Sequence, residues 1–214
     1  MTDHLNVIKE AVVAGKHKEI KDLVKQAVQD GIAPDKIINE ALIFAMDVIG
    51  REFARGTIFV PEMLVSAVTM KYGMEVVKPL LTADQSEPRG TIIMATVKGD
   101  LHYIGKNLVT MMLEGAGFKV IDLGVDLSVE KLIEEVKAIR PQILGLSALL
   151  TTTMPEMKRV IEELNSQGIR KNIKVIVGGA PLDNAFALKI GADGYGANAA
   201  EAVALARRFT GASA

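Results

Sequence analysis

The sequence predicts an α/β protein in which a four-helix bundle is followed by a domain built on a five-stranded parallel sheet. Before about residue 82, apolar residues recur at helical spacing, whereas after about residue 90 short apolar runs alternate with helical stretches. The polar segment TADQSEPRG at 82–90 separates the two patterns. We therefore predict a helical bundle domain over residues 1–83, a linker over 84–90 and an α/β domain over 91–214.

The four predicted helices are defined by apolar spacing and by the residues that interrupt it. They cover about 4–14, 17–30, 35–54 and 61–81. Gly15 and the segments 31–34 and 56–61 interrupt the pattern. Pro34 and Pro61 suit the first turn of a helix, where a missing N–H costs little. Four helices with short connections predict an antiparallel bundle.

The second half of the chain alternates predicted strands with predicted helices. Strands are expected at 91–97, 118–123, 142–147, 173–177 and 193–195, and helices at about 104–115, 128–139, 154–166, 181–190 and 198–209. Continuous apolar strands separated by helices are typical of a parallel sheet covered on both faces. Five such units predict a doubly wound, flavodoxin-like (Rossmann-type) sheet with the strand order 2-1-3-4-5.

Composition excludes several classes of protein. The 214 residues include no cysteine, so disulfides, thiolate metal sites and cysteine nucleophiles are excluded. A formal net charge of −1, no basic run and only 4% aromatic residues argue against nucleic-acid binding. No apolar stretch approaches the roughly 20 residues that span a bilayer, and the N-terminus is polar. These features predict a soluble cytoplasmic protein without a membrane partner.

The predicted strand order indicates where in the sheet a ligand would bind. Ligands of such sheets bind at the carboxyl ends of the strands where the order reverses, here between strands 1 and 3. The loop after strand 1 contains His102, with Asp100 two residues before it and Gly99 and Gly105 on either side. A carboxylate in that position can hold one imidazole nitrogen and leave the other free for a metal. The simpler alternative is a loop histidine that only satisfies its hydrogen bond.

Two further considerations bear on this loop. Since the chain has only three histidines, a metal held by His102 would need other ligands, such as carboxylates or a macrocycle. The stretch from Gly99 to Lys106 also resembles a phosphate-binding loop. Its glycine spacing is one residue too long, however, and Asn107 replaces the hydroxyl residue that binds Mg²⁺.

The loops after strands 3, 4 and 5 are rich in small and hydroxyl residues. Ser147, Thr151 and Thr153 face the expected crevice, and Thr153 with Glu156 is also predicted to form a helix capping box. After strand 4, the paired glycines Gly178 and Gly179 suggest close backbone approach to a ligand, although a tight turn would use them too. The remaining small residues of these loops are Ala180, Pro181 and the stretch 194–197.

These residues carry a resemblance to a known family. Asp100-x-His102-x-x-Gly105, Ser147-x-Leu149 and Gly178-Gly179 resemble the three-part signature of cobalamin-binding domains. The whole chain is similar to corrinoid proteins of methyltransferase systems and to the cobalamin-binding region of methionine synthase. Tyr103 departs from the Asp that many relatives have, which changes the loop surface offered to a partner.

The resemblance implies a role for each residue. His102 would ligate cobalt from below in a corrinoid or cobalamin cofactor, with Asp100 and Thr153 completing a relay behind it. The residues implied to line the cofactor site are Asp100, His102, Tyr103, Ile104, Gly105, Ser147, Leu149, Thr151, Thr153, Gly178, Gly179, Ala180, Tyr195, Gly196 and Ala197. The helical domain would cap the methyl-bearing face, with Phe59, Met63 and Met70 as candidate contacts.

The resemblance also implies a methyl carrier that is not catalytic alone. One partner methyltransferase would load a methyl group onto cobalt(I) to give methylcobalamin, a second would pass it to tetrahydrofolate or a thiol, and a reductive activator would rescue oxidised cobalt. The substrate is left open among methanol, methylamines, glycine betaine and methoxylated aromatics. Two alternatives remain: a B12-dependent sensor, and the B12-binding subunit of an adenosylcobalamin mutase.

Overall fold

The computed structural model describes residues 3–81 and 88–212. It divides into two compact units, one formed by Met1–Pro88 with Gly115–Gly117 and the other by Arg89–Glu114 with Phe118–Ala214. Residues 84–87 of the predicted linker lie outside the described part of the chain. Among the described residues, no helix is long and apolar enough to cross a membrane.

The first unit is helical, as the apolar spacing predicts. Its helices are α1 (His4–Val13), α2 (Ile20–Gln29), α3 (Pro34–Lys36), α4 (Phe44–Ala54) and α5 (Val60–Val77), with a 3₁₀ turn at Lys78–Leu80. Pro34 and Pro61 lie in the first turns of α3 and α5, as predicted. The single helix expected over 35–54 was wrong in one respect, because a π-helical stretch, Ile37–Ile43, joins α3 to α4.

The core of the helical unit consists of large aliphatic side chains at helical spacing. Ile8, Ile20, Ile37, Leu42, Met46 and Met63 are its largest fully buried side chains. Each contributes about 1.5–3 kcal/mol by leaving water. Polar groups fix the helix starts: the Asp3 carboxylate accepts the Asn6 N–H, and Glu62 accepts the Phe59 N–H at 3.1 Å.

The second unit contains a five-stranded parallel sheet in the predicted order, β2-β1-β3-β4-β5. The strands are β1 (Thr91–Thr96), β2 (Lys119–Asp122), β3 (Ile143–Ser147), β4 (Lys174–Gly178) and β5 (Gly194–Tyr195). The helices between and after them are α6 (Ile104–Gly115), α7 (Val129–Ile139), α8 (Met154–Ser166), α9 (Asn184–Ile190) and α10 (Ala199–Thr210). Since all pairs are parallel, the carboxyl ends of the strands meet at one edge.

Helix starts in this unit follow local chemistry. Ser128 caps α7, as predicted, by accepting the Lys131 N–H at 3.3 Å. The helix expected to begin at Pro181 begins at Asn184 instead, because the Asp183 carboxylate accepts the Phe186 N–H at 2.7 Å and caps it there.

Strand register brings the predicted site residues together at the carboxyl edge. Thr96 of β1 pairs with Ser147 of β3, which pairs with Gly178 of β4. Neighbouring Leu146 and Val177 belong to the apolar cluster that α7, α8 and α9 help to form. Because side chains alternate along a strand, Thr96, Ser147 and Gly178 lie on the opposite face. That face therefore ends in a hydroxyl and glycine row rather than in bulky side chains.

Gly179 is required by backbone packing at this edge. Its φ is +140°, and a Cβ there would lie 1.8 Å from the Ala148 carbonyl oxygen. Backbone cannot yield as a flexible side chain can, so we expect Gly179→Ala to lower the free energy of unfolding by about 3 kcal/mol or more. Denaturant titration of the apo protein measures this change.

Gly168→Ala is the matched control for that substitution. Gly168 also has a positive φ, +70°, but a Cβ added there would meet nothing within 4 Å. It should therefore cost only about 1 kcal/mol of backbone strain. Equal losses for the two variants would contradict the packing argument.

Candidate functional site

A tight turn follows β1 and positions the site. The Asp100 N–H donates to the Val97 carbonyl at 3.2 Å, and Gly99, the third residue of the turn, has a φ of +80°. A positive φ at that position marks a type II turn, which favours glycine. The turn carries the Asp100 side chain into the interior, where it is fully buried, while the next residue, Leu101, is exposed.

The Asp100 carboxylate joins the loops that follow β1 and β3. Oδ1 accepts the His102 N–H at 3.0 Å and lies 2.7 Å from His102 Nδ1. Oδ2 accepts the backbone N–H groups of Leu149 at 2.7 Å and Leu150 at 3.3 Å. Thr153 Oγ1 is 2.9 Å from the same oxygen. A charge that is fully removed from water is thus surrounded by donors, as a buried carboxylate requires.

These contacts determine the protonation state of Asp100. Burial raises the pKa of its carboxyl group, because desolvation disfavours the charge. Hydrogen bonds from the backbone of Leu149 and His102, and from the side chains of His102 and Thr153, outweigh burial and hold the pKa well below its ordinary value. The group is therefore a carboxylate at neutral pH.

The structure corrects the predicted role of Thr153. Its side chain makes no helix-capping hydrogen bond, although α8 begins at the next residue. Thr153 Oγ1 instead lies 2.9 Å from both Asp100 Oδ2 and the Leu150 carbonyl oxygen. The capping-box partner, Glu156, pairs with Arg159 at 2.8 Å. A hydrogen bond to an ionised carboxylate is stronger than a neutral capping bond with a backbone N–H. The hydroxyl therefore turns inward.

His102 presents one nitrogen to the outside. An ionised carboxylate only accepts hydrogen bonds, so Nδ1 carries a proton and donates a hydrogen bond to Asp100. The His102 carbonyl accepts the Thr96 hydroxyl at 2.9 Å, which fixes the backbone. The side chain is 51% exposed, and no hydrogen bond joins Nε2 to any described residue. In the neutral ring, Nε2 therefore offers a lone pair with a fixed direction.

The two loops that Asp100 joins also carry several exposed apolar side chains. They are Leu101, Tyr103, Ile104, Leu149 and Leu150. We call these five residues the apolar collar. An exposed apolar group of this size is typical of a ligand-binding surface.

Other predicted site residues lie along the carboxyl edge. Ser147 is half-buried at the end of β3, and Thr151 and Ala180 are exposed in their loops. A Cβ on Gly178 would lie 3.2 Å from the Gly196 carbonyl oxygen, so these two backbones pass close together. Beside them, Tyr195 is half-buried at the end of β5, and the exposed Ala197 donates its N–H to Glu201.

The other histidines and the candidate contacts of the helical domain lie in varied surroundings. His17 is exposed, whereas His4 is half-buried and its Nε2 lies 2.8 Å from Asp30 Oδ2. Met63 and Met70 are core residues, which argues against the proposed contact of either with a ligand, whereas Phe59 is exposed. Within residues 3–81 and 88–212, no group of three or more His, Cys, Asp or Glu side chains could hold a metal ion.

Sequence reasoning missed two groups beside the site. Lys106 is buried, and its ammonium donates to both Asp122 carboxylate oxygens and to Asn107 Oδ1. This pairing ties α6 to the end of β2 and occupies the amine that a phosphate loop would need. Asp126 was also missed; its carboxylate accepts the Gly99 N–H at 2.7 Å. No local motif indicates either partnership.

Comparison with known proteins shows which family the chain belongs to. A B12 binding domain matches residues 90–204, and a second model, also described as a B12 binding domain, matches residues 5–78. Trimethylamine corrinoid protein 1 from Methanosarcina acetivorans is 39% identical over 201 residues, 93% of each chain. The chain belongs to the B12-binding corrinoid protein family.

Other relatives of this corrinoid protein agree. Dimethylamine corrinoid protein 1 from Methanosarcina acetivorans is 43% identical over 193 residues, 88% of this chain and 91% of the relative. A cobalamin-binding protein from Desulfitobacterium hafniense shares the fold with a TM-score of 0.82 and 33% identity, covering 98% of this chain and 99% of that one. A methanol:cobalamin methyltransferase complex from Methanosarcina barkeri matches with a TM-score of 0.87 and 32% identity, covering 99% and 81%.

The residues of this corrinoid protein fit a corrinoid. A corrin brings four equatorial nitrogens, so a single imidazole with a free Nε2 suffices as a protein ligand. The apolar collar fits a broad macrocycle, and Gly105 provides a second test. Gly105 is exposed in the first turn of α6 without a positive φ, and a Cβ there would meet nothing within 4 Å. The apo fold gives no reason for glycine, whereas close approach of a bulky ligand does.

The Asp100 network predicts a pH-dependent stability. Because the pKa of Asp100 is lower in the folded than in the unfolded chain, its contribution is present above the ordinary value of 3.8 and is lost as pH falls below it. Asp100→Asn should reduce the free energy of unfolding by about 3 kcal/mol at pH 7. It should also flatten the acid limb, as measured by denaturant titration between pH 3 and 7.

Asp193→Asn is the matched control, since the pKa of Asp193 is also lowered and its partners, Arg170 and Lys174, lie away from this site. It should flatten the acid limb but leave the ¹⁵N shifts of the His102 ring unchanged, whereas Asp100→Asn should move them. Identical ring shifts in Asp100→Asn and wild type would refute the hydrogen bond to Nδ1.

Proposed function

We propose that this protein is the corrinoid-carrying subunit of a multi-component methyltransferase system, with His102 as the lower cobalt ligand. The single observation that carries the proposal is the exposed Nε2 of His102, held in direction by the fully buried Asp100. The family match and the names of the relatives, trimethylamine and dimethylamine corrinoid proteins, support it. When bound, the corrinoid supplies a cobalt that takes up and gives away a methyl group.

The chain's own residues would bind the cofactor and orient the His102 imidazole. With a corrinoid bound, the apolar collar would help to keep water from His102, and Asp100 would keep the proton on Nδ1 so that Nε2 is the coordinating atom. The Thr153 hydroxyl donates a hydrogen bond to the carboxylate and completes the relay. Because hydrogen bonds lower the pKa of Asp100, its carboxylate stays ionised at neutral pH and can keep accepting the hydrogen bond from Nδ1.

The edge of the sheet accommodates the nucleotide part of the cofactor. Ser147, Gly178 and Gly196 carry side chains no larger than a hydroxymethyl group where bulkier ones would fill the space. Their row begins on β3, the strand next to the His102 loop. Thr151, Leu149 and Gly179 lie in the loops just beyond and would line the entrance.

Partners supply the chemistry that this chain lacks. A substrate:corrinoid methyltransferase would load the methyl group, a corrinoid:acceptor methyltransferase would remove it, and a reductive activator would restore the carrier after oxidation. Methylamines are the first donors to test, because trimethylamine and dimethylamine corrinoid proteins are about 40% identical to this chain. Methyl transfer from each methylamine to the purified protein loaded with corrinoid, catalysed by a candidate partner methyltransferase, identifies the donor.

Removal of the imidazole tests the ligand assignment. His102→Ala, reconstituted with cob(II)alamin, should lose the nitrogen coupling of the histidine in its electron paramagnetic resonance spectrum. Labelling the histidines of the wild type with ¹⁵N should change that coupling. His17→Ala is the control, because His17 is exposed and its side chain lies within hydrogen-bond distance of the Gly15 carbonyl, away from the His102 loop in the sequence. A histidine-type spectrum in His102→Ala would remove the basis of the proposal.

Gly105 tests where the cofactor approaches. Gly105→Ala should stabilise the apo protein by roughly 0.5 kcal/mol, because alanine favours helix and the added methyl meets open space. The same methyl should weaken cobalamin binding about tenfold or more if the corrin passes over this turn. Thermal melts and equilibrium dialysis separate the two effects. Unchanged cobalamin affinity would place the cofactor away from α6.

A further inference from the structure

Asp126 lies in the loop after β2 and has an unusual backbone. Its φ is +56°, and among the described non-glycine residues only Arg140 shares a positive φ. Asp tolerates this conformation better than most residues, but it still costs free energy that the surroundings must offset. The contacts of Asp126 with the His102 loop supply that offset.

Asp126 forms hydrogen bonds with two backbone groups of the turn before His102. Its carboxylate Oδ1 accepts the Gly99 N–H at 2.7 Å. Its own N–H donates to the Asp100 carbonyl at 3.0 Å. The left-handed backbone turns the N–H and the carboxylate of one residue toward the same turn. A charge-assisted bond and a backbone bond thus hold Gly99 and Asp100 from one side.

The loop that carries Asp126 is itself anchored to β1. The Thr96 N–H donates to the Gly124 carbonyl at 3.0 Å, and the Leu127 N–H donates to the Thr96 carbonyl at 3.1 Å. Val97 and Leu127 form a parallel bridge beyond the end of the strands. Asp126 is therefore held by a continuation of the sheet and can resist movement of the turn.

We propose that Asp126 is a positioning residue that holds the His102 loop in its cobalt-binding conformation before the cofactor arrives. The inference rests on the proposed role of His102. The Asp100 side chain fixes the imidazole from the interior, and Asp126 fixes the peptide from the surface. Without this hold, Gly99 leaves the turn free to move, and the direction of Nε2 moves with it. A ligand atom held in place before binding gives higher affinity than one that must be ordered.

Three substitutions at position 126 separate its two roles. Asp126→Asn keeps a side-chain acceptor and tolerates the left-handed backbone, so it should behave as wild type. Asp126→Gly keeps the backbone conformation but removes the acceptor. Asp126→Ala loses the acceptor and strains the backbone. Since Asp126 is exposed in its loop, none of these changes leaves a cavity in the core.

Arg140→Gly is the matched control. Arg140 has a φ of +52° and ends α7, where its N–H donates to the Val136 carbonyl. Glycine should relieve backbone strain there as it does at position 126. Arg140 directly precedes β3, so it lies at the amino edge of the parallel sheet, opposite the edge that carries the His102 loop. This variant should leave the loop unchanged.

The apo protein provides the first measurement. Hydrogen exchange of the Gly99 amide should be about tenfold faster in Asp126→Gly than in wild type, the factor expected for loss of one charge-assisted hydrogen bond. The ¹⁵N resonances of the His102 ring should broaden or change their chemical shifts. Asp126→Asn and Arg140→Gly should keep the wild-type values. Unchanged exchange in Asp126→Gly overturns the inference.

The second measurement uses cob(II)alamin. In Asp126→Gly the affinity should fall about tenfold, and the fraction with histidine coupling in the electron paramagnetic resonance spectrum should fall with it; Asp126→Asn should restore both. Faster Gly99 exchange with unchanged affinity and coupling would make Asp126 a structural residue only and overturn the proposal. If wild type itself shows no histidine coupling, the proposed function fails, whereas the apo measurement still decides whether Asp126 holds the loop.

Discussion

A buried carboxylate is the constraint on which the rest of the site depends. Asp100 has no exposed surface, and an ionised group in that position is tolerated only if donors replace the lost water. The donors come from its own loop, through His102, and from the loop after β3, through Leu149 and Thr153. Those loops can share one carboxylate because β1 and β3 are adjacent and parallel. The sheet order is thus a requirement of the site's electrostatics.

Two further charged groups keep the surroundings of that carboxylate in place. Lys106, buried in the first turn of α6, is neutralised by Asp122 at the end of β2. Asp126, a few residues later, holds the turn through Gly99. Since Lys106 is buried, loss of Asp122 would leave its charge without that partner, which is destabilising. The segment after β2 therefore supports the site although it contributes no residue to the cofactor signature.

Local patterns in the sequence predicted the fold well, and long-range contacts explain what they missed. Apolar runs and turn residues were sufficient to predict the strand order, because strands alternate with helices along the second half of the chain. Asp100 and His102 were found because they are two residues apart. For Thr153 the local pattern predicted helix capping, which is absent; its contact with Asp100, 53 residues away, was expected only from the family resemblance. Asp126 was missed, since 27 residues separate it from Gly99.

The same geometry separates retention of the cofactor from ligation of its metal. One imidazole is a weak hold on a metal ion, and no cluster of metal-binding side chains accompanies it in the described part of the chain. A metal at His102 must therefore arrive with its remaining ligands already attached, as in a macrocycle. Retention of the cofactor then depends on the apolar area that it buries against the apolar collar and against the row formed by Ser147, Gly178 and Gly196. Under the proposed function, the imidazole would set the position and electronic state of the metal, and loss of that one bond would not by itself release the cofactor.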